Sequence, residues 1–478
     1  MRKPLTVLLA LILALPQGVA SSLPDLGESS RQYLTDRQER EIARAIMRDI
    51  YASPQFLADA EIEAYLNELG ARLVAESSIG GRTLNFFAVR DLSINAFALP
   101  GGNIGVHTGL MQAASSESEL AGVLAHEIAH VSQEHLSRMI AQQDQNYLPT
   151  LAALAIAVLA ARSNSNVGSA ALAATQALSI QGQLDFTREN ESEADRIGFE
   201  ILNQAGFDPQ GMVGFFSTLQ RNNRLFDNNA PTYLRTHPLN TQRIADMEDR
   251  VQRLPFRQVN DSREFHFMRA RLAVMEGSAE DAVRRFQDQI REKRTRLIEA
   301  SHYGLALAYL RQGKLAEAET ELAFALKTGD SPMLLSLKAE LKLKQGAVAQ
   351  AMEFYRAAMA RYPRHKPLIH GYADALIRTG KAQAAIDMLR SNVAIWPEDA
   401  QLWKLQARAH ATLNHKLASH LAEAEAMAVR GNLVAALEQV NLGLKAGDGN
   451  FYELSAAESR RREWEKALNE ESGRQAKK

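Results

Sequence analysis

The sequence contains no cysteine in its 478 residues. This absence excludes disulfide bonds, cysteine nucleophiles, thiolate metal ligands and an acylated lipoprotein anchor. Any metal ion must therefore be held by histidine and carboxylate side chains. There is also no excess of charge of one sign, because 55 lysine and arginine residues stand against 56 aspartate and glutamate residues. That balance gives no reason to expect nucleic acid or an acidic membrane as a partner.

The chain also lacks an apolar run of the roughly 20 residues that a membrane-spanning helix needs. Its N-terminus instead resembles a secretory signal, with Arg2 and Lys3, an apolar stretch over 5–15 and small residues up to Ala20. We expect cleavage after Ala20, export to the periplasm and no transmembrane span in the mature chain; an uncleaved anchor is the alternative. A second apolar run, 151–161, fits either a core helix or a flap that faces a membrane or a partner.

The C-terminal part of the chain is repetitive. Four glycines recur at intervals of 33 to 36 residues, and each is followed five residues later by an alanine and nine residues later by a bulky side chain: Gly277, Gly313, Gly346 and Gly380. This spacing is typical of helix-turn-helix tetratricopeptide repeats, whose small residues let paired helices pack closely. Gly431 lies 51 residues after Gly380, an excess of one helix, so we expect an irregular array near Asn414.

The part before the repeats mixes helices with short strands. Apolar residues at helical spacing predict helices over 37–75 and 117–142, whereas 84–89 and 104–107 read as strands on either side of a turn. We therefore predict a mainly α protein in three parts. These are a signal peptide over 1–20, an α+β domain with a small sheet over 21–262, and an α-helical repeat solenoid over 263–478.

One predicted helix carries an H-E-x-x-H motif formed by His126, Glu127 and His130. Residues four apart project from the same helix face, so both imidazoles can reach one zinc ion. Glu127 lies one step round, where it can take a proton from a zinc-activated water that attacks a carbonyl. The pattern predicts a zinc peptidase with one ion per chain; the alternative is a chance match on a surface helix. His135 lies one step off the ligand face and is predicted to be structural.

A pair of zinc-binding histidines needs a third protein ligand. The segment 189–195 offers three glutamates, Glu189, Glu191 and Glu193, ahead of an apolar helical pattern, and spacing alone does not choose among them. Glu191 and Asp195 share a helix face at i,i+4. The first can ligate while the second accepts a hydrogen bond from the other nitrogen of a zinc-bound imidazole.

The H-E-x-x-H motif followed by an E-x-x-x-D motif resembles the HtpX and CaaX-prenyl-protease type of metallopeptidase. The resemblance implies a gluzincin-type fold and assigns the site as follows: His126, His130 and Glu191 as zinc ligands, Glu127 as general base, and Asp195 behind a ligand. The sequence over 95–98 and the turn over 101–103 also resemble this family's strand beside the cleft. Such an edge strand can pair with an extended substrate.

A third histidine is singled out by the same resemblance. His237, followed by Pro238 and by Arg243, matches an element that this family holds near the metal. The resemblance implies that His237 contacts either the zinc or the oxyanion, with Arg243 orienting it. Without the resemblance, Pro238 favours an ordinary loop histidine. If His237 ligates the zinc, it occupies the position that water needs and the enzyme rests in a latent state.

These patterns together predict an exported zinc-dependent endopeptidase whose repeats recruit substrates or dock partners. The resemblance implies that the substrates are unfolded or misassembled proteins. Exported members of the family that carry C-terminal repeats imply quality control of outer-membrane protein assembly, with the β-barrel assembly machinery as a partner of the repeats. Two alternatives stay open. One is a chaperone or assembly adaptor in which binding dominates over proteolysis. The other is a zinc peptidase for short secreted peptides with unrelated repeats.

Overall fold

The computed structural model describes residues 35–79, 81–142, 188–225 and 232–475. The predicted signal peptide, its cleavage site after Ala20 and the apolar run over 151–161 lie outside these ranges. Within them, no helix combines the length and the apolar character that crossing a bilayer requires.

The first part folds as helices around a small sheet, as predicted. Helices α1 and α2 precede three strands, with the bounds α1 Asp36–Ala52, α2 Ala60–Val74, β1 Asn85–Val89, β2 Ala96–Leu99 and β3 Asn103–His107. The sheet order is β1-β3-β2, with β1 parallel and β2 antiparallel to the central β3. Positive φ at Gly101 and Gly102 allows the tight turn from β2 into β3. Because β3 lies between the other two strands, β2 is an edge of the described sheet.

In the described residues, seven helices follow the sheet and precede the repeats. They are α3 Thr108–Ala113, α4 Glu117–Ser132, α5 His135–Gln142, α6 Arg188–Gln204, α7 Gln210–Leu225, α8 Thr232–Thr236 and α9 Thr241–Gln252. The central one is α4, which begins where the Ser116 side chain accepts from the backbone N–H of Glu119. Its residues are buried continuously from Glu117 to His130, as expected for a helix covered on every face.

The helices predicted over 117–142 are present, but the position of His135 relative to the first of them differs from the one we predicted. Helix α4 ends at Ser132, Glu134 takes a positive φ of 52°, and a new helix, α5, begins at His135. A left-handed residue cannot continue a right-handed helix, so the chain changes direction here. The apolar pattern on both sides has helical spacing, and for that reason the break is not visible in it.

The repeat region consists of twelve helices in antiparallel succession. Their bounds are α10 Arg263–Met275, α11 Ala279–Arg291, α12 Ile298–Arg311, α13 Leu315–Ala325, α14 Pro332–Lys344, α15 Val348–Arg361, α16 Lys366–Arg378, α17 Ala382–Ile395, α18 Ala400–Thr412, α19 Lys416–Val429, α20 Leu433–Leu444 and α21 Phe451–Gln475. The four phased glycines all adopt positive φ between paired helices, and the alanines that follow them are buried. The predicted repeats are confirmed.

The array keeps its phase further than the glycines suggest. Asn414 lies 34 residues after Gly380 and adopts a φ of 60° between α18 and α19, the conformation of the earlier glycines. Asparagine is one of the few residues that tolerate this conformation. Gly431 then marks the turn into α20. The turn at Asn414 is therefore regular, and the excess of one helix is α19, which lies between Asn414 and Gly431.

The repeats pack directly on the first part of the chain. Helix α2 contacts α10 and α16, and two ion pairs cross this contact. Arg271 Nε lies 2.8 Å from Asp59 Oδ1, and His365 Nε2 lies 2.9 Å from Glu61 Oε2. One buried core runs from Leu57 into the repeat helices. The domain boundary at 262 therefore stays a prediction, although α10 begins at the next residue.

Candidate metal centre

Helix α4 presents two imidazoles into one buried space. His126 and His130 are separated by one helical turn, and their Nε2 atoms lie 3.0 Å apart. The two rings meet edge to face, with centroids 4.7 Å apart. Nitrogen atoms held this close, one turn apart on one helix, are arranged to share a single partner between them.

Helix α6 supplies the carboxylate. It packs tightly on α4 because residue 198 is glycine, and a Cβ there would lie 3.0 Å from the backbone N and Cα of His126. This close approach brings Glu191 to the histidines, with its carboxylate 3.3 Å from His130 Nε2 and 3.6 Å from His126 Nε2. Of the three acids that spacing left open, Glu189 is exposed and Glu193 points elsewhere.

A third imidazole completes the cluster. His237 follows α8, where its backbone N–H donates to the Tyr233 carbonyl at 2.8 Å. Its Nδ1 lies 2.9 Å from Glu191 Oε1 and 3.4 Å from His126 Nε2. One ligand-type atom from each of His126, His130, Glu191 and His237 lies within 4.8 Å of all the others.

A buried ion pair between Asp195 and Arg243 lies behind His126, on the side of its ring that faces away from the cluster. Asp195, one turn after Glu191 on α6, lies 3.0 Å from His126 Nδ1 through its Oδ1. Arg243 binds both oxygens of Asp195, at 2.6 Å and 2.8 Å, and its Nη1 lies 2.8 Å from Glu191 Oε2. This arrangement leaves Nε2 of His126 directed at the cluster, as a ligand requires.

Glu127 lies beside the cluster without belonging to it. Its nearest ionisable neighbour is His237, whose Nε2 lies 3.5 Å from Glu127 Oε1. Within the part of the chain that the structure describes, neither carboxylate oxygen makes a hydrogen bond of good geometry, although the backbone N–H of Ala98 on β2 faces this carboxylate. Burial raises the pKa of this carboxyl. A buried carboxylate with unsatisfied oxygens is costly unless a water or ligand engages it.

Electrostatics distinguish the two histidines of α4. Burial lowers the pKa of His130 well below its ordinary value. Burial acts in the same direction on His126, but hydrogen bonds to Asp195 and Glu191 outweigh it and raise its pKa to about 10. For Glu191, burial opposes ionisation, but the charge of His237 and hydrogen bonds from the imidazoles hold its pKa well below the usual range. The cluster therefore has an ionised carboxylate.

All seven residues that the sequence singled out meet here. They are 1% to 4% exposed: His126, Glu127, His130, Glu191, Asp195, His237 and Arg243. The predicted role of Arg243 differs in detail, because its guanidinium contacts Asp195 and Glu191 and its Nη1 donates to the Pro238 carbonyl at 2.7 Å. It therefore contacts the His237 segment at the backbone carbonyl of the residue that follows that histidine.

Two further residues of the site were not found by sequence reasoning. Tyr233 stacks on the His237 ring, with centroids 4.6 Å apart and an interplanar angle of 27°. His135, which we predicted to be structural, reaches His130, with its Nδ1 2.9 Å from Nδ1 of that histidine. The helix break at Glu134 brings the two rings together. The signal for it in the sequence is its position, because it is a third histidine only five residues after His130.

The donor set fits a divalent metal ion. Three imidazole nitrogens and a carboxylate oxygen are the ligands that zinc takes in proteins lacking thiolates. The unsatisfied oxygens of Glu127 lie where a hydrogen-bonding partner is required. Such a centre, on a helix with H-E-x-x-H and next to a separate carboxylate, is the centre of a metallopeptidase.

Comparisons with known proteins agree with this class. Residues 60–251 match peptidase family M48, and residues 342–409 match a tetratricopeptide repeat family. A putative β-barrel assembly-enhancing protease of Vibrio cholerae is 35% identical over 91% of this chain and 92% of its own length. The β-barrel assembly-enhancing protease of Escherichia coli K12 is 33% identical over 89% and 88%. Mitochondrial metalloendopeptidase OMA1 of Schizosaccharomyces pombe is 31% identical over 39% and 52%. The chain belongs to peptidase family M48 and is a metallopeptidase with tetratricopeptide repeats.

Proposed function

We propose that this chain is an exported zinc endopeptidase in which His126, His130 and Glu191 hold one ion. The observation that carries the proposal is the buried cluster of ligand atoms within 4.8 Å of one another, with Glu127 beside it. Zinc bound there would act as a Lewis acid that activates water and polarises the carbonyl of a peptide bond.

The chain's own residues then have separate tasks. Glu127 takes the proton of the attacking water and later delivers it to the leaving amine, and burial moves its pKa upward, towards the range in which both transfers work. Asp195 fixes the proton of His126 on Nδ1. Arg243 compensates the charges of Asp195 and Glu191 in a space that excludes water.

His237 gives the site a latent arrangement. Its Nδ1 lies among the ligand atoms while its Nε2 faces Glu127. An imidazole in this position would occupy the place that the attacking water needs and would contact the general base at the same time. Activity then requires His237 to move away, and Tyr233, stacked on it, would have to release it. If His237 instead stabilises the oxyanion, it stays in place during the reaction.

The substrate in this proposal is an unfolded or misassembled protein. Strand β2 packs against α4 and is the edge of the described sheet, so an extended chain can add to it by backbone pairing. The repeats offer a surface for recruiting that chain. The names of the relatives at 33% and 35% identity support the assembly of β-barrel proteins as the context. The signal-like N-terminus supports the periplasm as the location.

The decisive test compares Glu127→Gln with wild type and with Glu200→Gln, which alters an exposed acid on α6. We expect Glu127→Gln to lose cleavage of an unfolded protein by about 10²-fold or more while binding zinc normally. Glu200→Gln should match wild type. Retained cleavage in Glu127→Gln would contradict the proposed base. Equal cleavage of short peptides and unfolded proteins would favour the peptide-degrading alternative.

His237 is tested with the same assay. If it blocks the site as a fourth ligand, His237→Ala raises cleavage and weakens zinc binding. If it stabilises the oxyanion, the same variant lowers the turnover number and leaves zinc affinity unchanged. A variant unchanged in both measurements would remove His237 from the mechanism.

A second candidate function rests on the repeats, which fill the chain from Arg263 to Gln475. In this case the protein is a chaperone or assembly adaptor and proteolysis is secondary. Full rescue of outer-membrane assembly by Glu127→Gln in cells that lack the wild-type protein would favour it. Cell fractionation and N-terminal sequencing of the mature chain test export and cleavage after Ala20.

A further inference from the structure

The two histidines of α4 are supported from behind by different chemistry. Nδ1 of His126 meets a carboxylate, Asp195, at 3.0 Å. Nδ1 of His130 instead meets a second imidazole, His135, whose Nδ1 is 2.9 Å away. The usual partner of a ligand imidazole is a carboxylate, a backbone carbonyl or water. The contact at His130 therefore needs an explanation of its own.

The second nitrogen of His135 has a charged partner. Its Nε2 lies 3.0 Å from Glu193 Oε2, and Arg138 Nη2 donates to the same oxygen at 3.0 Å. His135 itself has no exposed surface, whereas the side chain of Glu193 is 33% exposed. The pair thus connects a fully buried imidazole next to His130 with a carboxylate that is partly exposed at the protein surface.

The donor and acceptor chemistry of this chain of contacts has one consistent solution. An ionised carboxylate only accepts, so Nε2 of His135 donates to Glu193 and its Nδ1 presents a lone pair. His130 can ligate through Nε2 only when its own proton is on Nδ1, and that proton points at the lone pair of His135. Glu193 thereby sets the proton of His135, and His135 sets the proton and the ring plane of His130.

The backbone supports the same interpretation. On an uninterrupted helix, residues five apart differ by about 140° in direction, so the side chains of residues 130 and 135 would diverge. The positive φ at Glu134 ends α4 and starts α5 at His135. This change of direction turns the His135 ring onto His130, with centroids 4.9 Å apart.

We propose that His135 is a positioning residue that holds the metal-binding tautomer and orientation of His130, and that Glu193 orients His135 in turn. The inference rests on the proposed function, because it requires His130 to be a zinc ligand. Glu193 was one of three acids whose spacing allowed them to be a ligand, and the proposal gives it this different role.

Three variants of His135 separate this role from packing. The Asn amide has an atom where Nδ1 lies, so His135→Asn can still accept from His130. The Gln amide reaches the position of Nε2, so His135→Gln keeps the contact with Glu193 alone. His135→Phe keeps the ring volume without either nitrogen. Each metal-free protein is titrated with zinc against a chromophoric chelator, and its thermal unfolding is recorded.

We expect His135→Phe and His135→Gln to bind zinc about 10- to 100-fold more weakly than wild type. His135→Asn should stay within about threefold of it. Wild-type affinity in His135→Phe would overturn the proposal. So would equal losses in all three variants that follow their losses of thermal stability, since that result indicates packing alone.

Three more variants keep the test decisive. If His135→Phe does not fold, Glu193→Ala, which removes the acceptor for His135 Nε2–H, is compared with Glu200→Ala, the same change at an exposed acid of the same helix. Weaker zinc binding in Glu193→Ala alone supports the proposal, and equal binding overturns it. His130→Ala identifies the level of any failure. If it binds zinc like wild type, the proposed ligand set is wrong; if it loses zinc while His135→Phe does not, only the positioning role is wrong.

Discussion

The close packing of α6 on α4 provides a sharp test of how the site is assembled. Gly198→Ala adds a Cβ that would lie 3.0 Å from His126 N and Cα and 3.1 Å from the Ala125 carbonyl carbon. All three neighbours are backbone atoms of a helix that is buried on every side, so they cannot turn away as a side chain can. Carbon atoms in ordinary contact lie about 3.5–4.0 Å apart. The two helices must therefore separate by roughly half an ångström.

The cost follows from that overlap. Overpacking of a filled core destabilises by about 1–3 kcal/mol, while replacing glycine by alanine inside a helix contributes about 1 kcal/mol in the opposite direction. Gly122→Ala on α4 supplies the matched control, because its Cβ would meet the flexible Met212 side chain at 3.3 Å. The difference between the two variants isolates the overpacking cost. For a chain of 478 residues, each kcal/mol of that cost lowers the Tm by roughly 1 °C.

Two measurements are needed, thermal unfolding of the metal-free proteins and zinc affinity by chelator competition. Gly198→Ala moves Glu191 and Asp195, which α6 carries, away from His126 on α4. We expect weaker zinc binding together with a lower Tm than in Gly122→Ala. If both variants show the same Tm and the same zinc affinity, the close approach at Gly198 does not position the ligands and our reasoning is refuted.

Four further expectations follow from the described contacts. Arg243→Lys keeps the charge but loses the two-pronged contact with Asp195 and should cost about 1.5–3 kcal/mol in a denaturant titration. For Glu61, burial opposes ionisation, but the hydrogen bond and charge of His365 outweigh it, so its pKa is lowered. Its contribution to stability is present above the unfolded value of about 4.3 and is lost as pH falls through the folded one, so acidification should lower the Tm of wild type more than that of Glu61→Gln. Asn414→Ala should cost about 1 kcal/mol at its positive φ, whereas Asn414→Gly should unfold near wild type. Removing zinc with a chelator should lower the Tm, and the decrease should be larger when the starting zinc concentration is higher. An unchanged Tm would contradict a metal bound to the folded state.

The sequence predicts some parts of this molecule well because they depend on local periodicity. Residues four apart on a helix must share a face, so the pairing of His126 with His130 and of Glu191 with Asp195 could be derived. The glycine spacing predicts the repeats for the same kind of reason, since each turn needs a positive φ at one position. The choice of Glu191 over Glu189 and Glu193 required the resemblance, because spacing contains no information about which face of α6 meets α4.

The parts that could not be predicted depend on a change of chain direction or on distant contacts. His135 was placed by continuing a helix that in fact ends at Ser132, and a single left-handed residue reverses the conclusion. The stacking of Tyr233 on His237 and the approach of Gly198 to His126 join segments that are far apart in sequence. No period in the sequence encodes such contacts.

The two outer supports of the site also differ in what can disturb them. Asp195 and Arg243 are both buried, so the support of His126 is sealed from solvent. The support of His130 ends at Glu193, whose side chain is one-third exposed. Glu193 also forms an ion pair with Arg138 in the first half of α5. A movement of α5 would therefore reach His130 through His135 while His126 stays fixed. If His126 and His130 both hold zinc as proposed, disturbing the partly exposed support should weaken zinc binding through His130, and zinc titration of Glu193→Ala measures how much of the affinity depends on that support.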